Sequence, residues 1–156
     1  MNKKIKLFLI CVAIPLIVGL LSGFISRNAM SSFGELIKPP LSPPAILFPI
    51  VWTILYILMG IASYLILTSD ATPEEKENAL SVYGLQLFVN FFWSIFFFNL
   101  EWYLFSFFWL LLLWILIFNC ITLFYHINKT AAYLMIPYLV WVTFAGYLNL
   151  SIYLLN

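Results

Sequence analysis

Five long apolar segments constrain this chain more than any other feature of its sequence. Each has about 19 to 24 residues, and at about 1.5 Å rise per residue a helix of that length crosses a hydrocarbon core of about 30 Å. A barrel would instead need alternating segments of about ten residues, unlike the continuous run at 105–118. The sequence therefore predicts an all-α membrane protein, one domain over 1–156 that forms a bundle of five transmembrane helices. The predicted helices cover about 5–26, 45–68, 81–99, 103–126 and 131–154.

The composition agrees with a membrane protein and argues against several other functions. Only 8% of the residues are charged, whereas soluble domains have about 25%. A net charge of +1 gives no field that would attract nucleic acid. No Asp, Glu, Lys or Arg lies in the middle of a segment, which disfavours ion-coupled pumping. Cys11, Cys120 and His126 have no neighbouring ligands at metal-site spacing, so no metal site is predicted.

The connections between the segments predict the topology. Thr72 with Pro73 and Glu75 forms a capping-box pattern, so the third helix is expected to begin before it enters the membrane. The positive-inside rule places the N-terminus in the cytoplasm and the C-terminus and the loop 27–44 outside. This orientation rests on five basic residues against two: Lys3, Lys4, Lys6, Lys76 and Lys129 against Arg27 and Lys38.

Polar side chains recur at helical spacing inside the third segment. Gln86 and Asn90 are four residues apart, and Trp93 or Ser94 follows on the same face. That face is too polar for lipid, because a buried amide without a partner costs about 1–3 kcal/mol. It is therefore expected to face the bundle interior. Two interpretations are open: the amides orient a bound ligand, or they only bond neighbouring helices.

The second and fifth segments have similar aromatic and polar faces. The two stripes are Trp52, Tyr56, Met59 and Ser63 in the second segment, and Tyr138, Trp141, Ala145 and Asn149 in the fifth. Three such faces that converge would form an apolar pocket with a few polar groups, the usual form of a small-molecule site. Indole rings stack on flat conjugated ligands, so a flat aromatic ligand suits this pocket best. A tryptophan beside a photoactive ligand could also donate an electron.

The stretch KPPLSPP, Lys38 to Pro44, is expected to be stiff and largely extended, since each proline fixes φ near −65°. A stiff loop loses little entropy on becoming ordered and could cover the mouth of the bundle as a lid. The alternatives are a rigid spacer or a PxxP ligand for a recruited domain. On the first segment, Gly19 and Gly23 have the small-xxx-small spacing that permits close helix packing, either within one chain or in a dimer.

Four ordered motifs carry a resemblance to a known family. They are KPPLSPP (38–44), FPIVWTILYILMGIASYL (48–65), LQLFVNFFWSIFFF (85–98) and PYLVWVTFAGYLNLSIYLLN (137–156). Over nearly the whole chain the sequence resembles the TspO/MBR family, which comprises the tryptophan-rich sensory proteins of bacteria and the translocator proteins, or peripheral benzodiazepine receptors, of mitochondria. The fourth segment carries little of this signal.

The resemblance implies a five-helix receptor in the bacterial cell membrane, often a homodimer. Such a protein needs no cofactor and binds porphyrins such as protoporphyrin IX, as ligand or substrate, and synthetic ligands such as PK11195. It implies light-dependent porphyrin breakdown that depends on two catalytic tryptophans, Trp52 and Trp141. The expected ligand-binding residues are Trp52, Tyr56, Gln86, Asn90, Trp93, Tyr138, Trp141, Ala145 and Asn149. The expected lid residues are Lys38, Pro39, Pro40, Ser42, Pro43 and Pro44.

Two departures from the family pattern and two alternative functions matter. Ala45 stands where many relatives have a polar residue followed by tryptophan, and no basic residue follows the fifth segment, so cholesterol transport is not expected. The first alternative is a transporter of porphyrins, sterols or other lipids, although five spans do not divide into two equal repeats. The second is a structural scaffold without a saturable ligand.

Overall fold

The computed structural model describes residues 2–156, and every regular element in that range is helical. Helix α4 continues directly into a π-helical turn, Ile95–Asn99. By length and composition, five helices can span a membrane: α1, α3, α4 with its π-helical turn, α5 and α6. The predicted fold class is confirmed. The helices are α1 (Lys3–Ser26), α2 (Met30–Phe33), α3 (Leu47–Leu67), α4 (Pro73–Ser94), α5 (Tyr103–Ile127) and α6 (Lys129–Leu155).

Side-chain caps explain where the helices begin. Thr72 Oγ1 accepts a hydrogen bond from the Glu75 backbone N–H at 3.2 Å, and Pro73 occupies the first turn of α4. The predicted early start of this helix is confirmed, although the Glu75 carboxylate accepts from the Thr72 hydroxyl rather than from a backbone N–H. Between α5 and α6, Asn128 alone breaks the helix, and its Oδ1 accepts from the Ala131 N–H at 3.1 Å.

The five spans form a closed ring in the order α1, α3, α6, α5, α4. Helix α1 packs on both α3 and α4, while α6 packs between α3 and α5, and α5 packs on α4. In this order α4 is next to α1 and α5, and it also approaches α3 directly at a few positions across the interior. A side-chain contact that joins α4 to α3 and α6 must cross the interior of the ring, which is where a small-molecule site would lie.

Two glycines allow α1 and α3 to approach closely. A Cβ at Gly60 of α3 would lie 2.5 Å from Val12 Cα and 2.7 Å from the Cys11 carbonyl oxygen, both in the backbone of α1. A Cβ at Gly19 of α1 would overlap the ring of Tyr56, whereas a Cβ at Gly23 would have no atom within 4 Å. Gly19 thus serves packing within the chain, and the homodimer stays a prediction.

We expect Gly60→Ala to destabilise the bundle by about 3 kcal/mol, because the methyl group meets backbone atoms that cannot move aside alone. The matched control is Gly84→Ala on α4, where a Cβ has no atom within 4 Å; alanine there is expected to be neutral or slightly stabilising. Unfolding curves in detergent measure both. Equal stability of the two variants would contradict the close packing of α1 on α3.

Candidate functional site

A chain of hydrogen-bonded side chains crosses the interior of the ring. The Tyr56 hydroxyl of α3 donates to Asn90 Oδ1 of α4 at 2.8 Å. Asn90 Nδ2 donates to the Tyr138 hydroxyl of α6 at 2.7 Å, and that hydroxyl donates to Gln86 Oε1 at 2.7 Å. Gln86 Nε2 lies 3.8 Å from the sulfur of Met59, and all five residues are buried. This polar chain (Tyr56, Asn90, Tyr138 and Gln86) links three spans at one level.

The polar chain follows from the spacing of the sequence. Gln86 and Asn90 lie one turn apart on α4, and their common face points inward as predicted. In this structure both amides bond neighbouring helices, which is the second of the two interpretations given by the sequence. Because each residue of the chain has a hydrogen-bond partner, the network stabilises the contact between the three spans. A role of these amides toward a ligand stays a prediction.

Aromatic rings cover one side of the polar chain. The Trp52 ring stacks on Tyr56 with 5.5 Å between centroids and meets Tyr138 edge-on at 6.1 Å. The rings of Trp52 and Trp141 are perpendicular at 6.5 Å. The Trp141 indole N–H is buried and has no hydrogen-bond acceptor within residues 2–156. These four rings form the aromatic site, which offers flat apolar surfaces and one donor without a protein partner.

Two phenylalanines that sequence reasoning missed also belong to the aromatic site. Phe48 of α3 and Phe144 of α6 pack on Trp141, with centroids 5.9 Å and 5.7 Å from its ring. Their spacing could have identified them, since Phe48 lies four residues before Trp52 and Phe144 three residues after Trp141. Phenylalanine is the most common aromatic residue of this chain, so its position alone does not indicate a site.

Trp93 and Asn149 form a second, separate pair. The Trp93 indole N–H donates to Asn149 Oδ1 at 3.0 Å, and Asn149 Nδ2 donates to the Tyr103 carbonyl oxygen at 2.7 Å. The Trp93 ring stacks on Phe97 of the π-helical turn at 5.2 Å. Within residues 2–156, no hydrogen bond joins this pair to the polar chain. Asn149 therefore fixes the orientation of the Trp93 ring in this structure.

The remaining stripe residues lie around these two groups. Ala145 is buried on α6, between the positions of Trp141 and Asn149 along the helix. Ser63 donates to the Gly60 carbonyl oxygen of its own helix at 2.8 Å. Ser94 faces α1, where its hydroxyl is hydrogen-bonded to Ser22. Trp93, and not Ser94, is thus the member of the α4 stripe on the side of α6.

The connection from α1 to α3 is less extended than predicted. It contains the short helix α2, followed by the strap, residues 34–46. Leu41 has a φ of 70° directly after Pro40, so the chain turns there instead of running straight. Proline favours the first central position of a tight turn, and the second central position then takes a positive φ. Leu41 accepts this unfavourable conformation at an exposed position, where its side chain packs on little.

The predicted lid residues all lie in the strap. The Lys38 ammonium group lies 4.9 Å from the centre of the Phe33 ring, and Pro39 is buried. Ser42 has a buried hydroxyl without a hydrogen-bond partner in residues 2–156, and Pro43 beside it is half-buried. The carbonyl oxygens of Pro40 and Pro44 accept hydrogen bonds from the Tyr147 hydroxyl and the Leu47 N–H.

The strap spans one end of the bundle. On one side it is bonded to α6 through Pro40, and on the other side Phe33 of α2 packs on Phe97 and Phe98 of the π-helical turn. Phe33 also meets Phe48, which contacts Trp141 of the aromatic site. Ring contacts thus run from the aromatic site to Phe33 of α2, and the Lys38 ammonium group of the strap lies over that ring, as expected of a lid.

Comparison with known proteins gives a consistent result. The family model described as TspO/MBR family matches residues 11–155. The tryptophan-rich protein TspO of Chlorobaculum tepidum is 38% identical, and the match covers 100% of this chain and 99% of that protein. A protein of the same name from Archaeoglobus fulgidus is 36% identical over 86% of each chain. Translocator protein 2 of Canis lupus familiaris is 33% identical over 86% of this chain and 80% of its own length.

Proposed function

The chain belongs to the TspO/MBR family and is a multi-pass membrane protein, and from this premise we propose that it is a receptor for porphyrins. Protoporphyrin IX is the proposed ligand, and PK11195 a synthetic competitor. The observation that carries the proposal is the aromatic site, in which Trp52, Tyr56, Tyr138 and Trp141 present their rings beside a buried polar chain. This combination suits a flat conjugated macrocycle better than an aliphatic lipid.

The two tryptophans and the polar chain have different roles in this proposal. The indole rings stack on the macrocycle, and the Trp141 N–H, which has no acceptor on residues 2–156, donates to a carboxylate or carbonyl of the ligand. Asn90 and Gln86 exchange a bond to tyrosine for a bond to a polar substituent. Because the residues of the polar chain bond one another, a polar substituent of the ligand must replace one of these bonds in order to bind.

We also propose a light-dependent activity at the same site. A photoexcited porphyrin in contact with Trp52 or Trp141 takes one electron from the indole, which leaves an indole radical cation and a porphyrin radical anion. Dioxygen, the oxidant, then adds to the porphyrin radical anion and opens the macrocycle, and the adduct returns one electron to the indole radical cation. Tryptophan is the readiest donor in the aromatic site, because phenylalanine is much harder to oxidise and a buried tyrosine must also release its hydroxyl proton when it loses an electron.

Titration of the detergent-purified protein with protoporphyrin IX in the dark tests binding, with tryptophan quenching and porphyrin absorbance as readouts. We expect saturable quenching that excess PK11195 reverses. Illumination of the saturated sample is then expected to cause a protein-dependent loss of porphyrin absorbance. Saturable binding with stable absorbance would contradict the proposed photochemical activity. Quenching that does not saturate would contradict the proposed receptor function.

Transport is the second candidate function, and one observation favours it. A groove of about 650 Å³ lies between α3 and α6 on the outer side of the ring, and Trp141 lines it as well as the aromatic site. Its walls are apolar and include Val51, Leu58 and Val140. A porphyrin could pass between the bilayer and the aromatic site here. Protein-dependent flux of porphyrin across proteoliposomes would favour a transporter, and saturable binding without flux would favour the receptor.

For the membrane topology and the assembly, we propose an N-terminus in the cytoplasm, the strap outside and a homodimer. The excess of basic residues on the N-terminal side supports the orientation. The free surface at Gly23 of α1, where a Cβ would meet no atom within 4 Å, gives a second helix room to approach. A Ser32→Cys variant on intact cells is expected to react with a membrane-impermeant thiol reagent, and labelling only after lysis would contradict this orientation.

A further inference from the structure

The strap is bonded to α6 and to its C-cap residue, Asn156, by contacts that the sequence did not predict. The Ile37 N–H donates to Asn156 Oδ1 at 3.1 Å, and Asn156 Nδ2 donates to the Ile37 carbonyl oxygen at 2.9 Å. One amide side chain thus satisfies both backbone groups of one strap residue. Three residues further on, the Tyr147 hydroxyl donates to the Pro40 carbonyl oxygen at 2.8 Å. These three hydrogen bonds form the latch.

The latch is positioned to act on the aromatic site through α6. Tyr147 lies on the same face of α6 as Phe144, with 6.0 Å between ring centroids, and Phe144 packs on Trp141 at 5.7 Å. On the other side, Lys38 of the strap lies over the Phe33 ring of α2, which contacts Trp141 through Phe48. Trp141 is therefore held between two series of ring contacts, one joined to the strap at Pro40 and the other at Lys38.

The composition of the strap limits the number of hydrogen bonds that can hold it to the bundle. Its four prolines restrict the chain and remove four N–H donors, so few backbone groups of the strap can bond to the bundle. The turn at Leu41 has an unfavourable positive φ, which favours release of the strap once its anchors are lost. A stiff segment that is held at a few points moves as one piece when those points are released.

We propose that Asn156 and Tyr147 are positioning residues for ligand binding: they hold the strap closed over the aromatic site and set the rate at which a porphyrin enters and leaves. This inference rests on the proposed porphyrin receptor and adds a residue-level control of its kinetics. Neither residue touches the ligand in this account. Loss of the latch is expected to accelerate association and dissociation together, and to change the dissociation constant less than either rate.

Three variants remove different hydrogen bonds of the latch. Asn156→Ala removes both bonds to Ile37 and the bond from Asn156 Nδ2 to the Ile152 carbonyl oxygen, Asn156→Asp keeps only the acceptor for the Ile37 N–H, and Tyr147→Phe removes the bond to Pro40. Tyr153→Phe is the matched control, since this exposed α6 tyrosine has no hydrogen bond from its hydroxyl within residues 2–156. None of the four substitutions removes a buried side chain, so all of them are expected to fold with nearly unchanged Tm.

Hydrogen exchange of the Ile37 amide in the ligand-free protein is the first readout, because it reports the latch without any ligand. We expect exchange about tenfold faster in Asn156→Ala, an intermediate rate in Asn156→Asp and no change in Tyr153→Phe. Stopped-flow quenching by protoporphyrin IX is the second readout. Dissociation is expected to be about three- to tenfold faster in Asn156→Ala and in Tyr147→Phe, as the loss of one or two exposed hydrogen bonds allows.

The possible results distinguish failure of the proposed latch from failure of the proposed receptor function. Wild-type protein without saturable porphyrin binding would overturn the proposed function, while the Ile37 exchange rates would still decide whether the latch exists. Unchanged exchange in Asn156→Ala would overturn the latch. Faster exchange with unchanged porphyrin kinetics would show that the strap opens without controlling the site, which also overturns the proposal. A changed dissociation constant with either the association or the dissociation rate unaltered would also overturn the proposal.

Discussion

The double variant Trp52→Phe with Trp141→Phe is expected to lose at least about 90% of the light-dependent breakdown of protoporphyrin IX. The physical reason is that phenylalanine keeps an apolar ring at each position but cannot donate an electron to the excited macrocycle. Both tryptophans are only half-buried, so the fold is expected to persist. The rate of absorbance loss under illumination, at saturating porphyrin, is the measurement.

A second double variant controls for the loss of two tryptophans as such. Trp109 and Trp114 donate their indole N–H groups to the Val89 carbonyl oxygen at 2.7 Å and to Thr143 Oγ1 at 2.8 Å, away from the aromatic site. Their replacement by phenylalanine is expected to leave breakdown unchanged. Wild-type turnover in the Trp52 and Trp141 double variant would refute the electron-donor role, and equal losses in both double variants would point to a general effect on the bundle.

Tyr138→Phe is expected to lower the free energy of unfolding by about 2–3 kcal/mol. Tyr138 is 0% exposed, and its hydroxyl both donates to Gln86 Oε1 and accepts from Asn90 Nδ2. Phenylalanine leaves two buried amide groups without partners, each at a cost of about 1–3 kcal/mol in a protein interior. Bonds between membrane helices are often weaker, about 0.6 kcal/mol on average, which places the sum toward the lower end.

Two other tyrosine variants provide reference values for the loss of stability in Tyr138→Phe. Tyr56→Phe removes only the bond to Asn90 Oδ1 and is expected to cost about half as much, while the exposed Tyr153→Phe is expected to be neutral. Unfolding in denaturant at constant detergent measures all three. If Tyr138→Phe is as stable as Tyr153→Phe, the polar chain does not hold α3, α4 and α6 together.

Much of the fold could be predicted from the sequence because the membrane leaves few choices. Apolar runs of the required length must be helices, since lipid offers the backbone no hydrogen-bond partners. Thr72 and Pro73 fixed the start of α4 by local geometry, which tertiary contacts did not override. The inward faces of Gln86 with Asn90 and of Tyr138 with Trp141 followed from helical spacing in the same way.

The side-chain pairings that the sequence could not predict depend on the order of the helices around the ring. Spacing shows that Asn149 faces inward, but only the position of α4 relative to α6 makes Trp93 its partner. In the same way, the amide of Asn90 bonds to Tyr56 and Tyr138 because α3 and α6 face it across the interior. Long-range pairings of this kind leave no periodic signal in one chain.

The strap was the least predictable part, for a related reason. Its prolines indicated stiffness, yet the turn at Leu41 and the contact with Asn156 arise where the segment meets α6. A short helix, α2, also lies within the connection that the sequence indicated to be a loop. The anchors of the strap lie up to 119 positions away along the chain, so no local pattern could identify them.

The central claim is that a porphyrin binds among Trp52, Trp141 and the polar chain, and the indole N–H signals of the six tryptophans test it most directly. In a titration with protoporphyrin IX followed by nuclear magnetic resonance in the dark, the signals of Trp52 and Trp141 are predicted to shift with saturation. Those of Trp109 and Trp114, which are bonded on other faces of the bundle, are predicted to stay in place. Saturable binding that leaves the Trp52 and Trp141 signals unmoved would contradict the account.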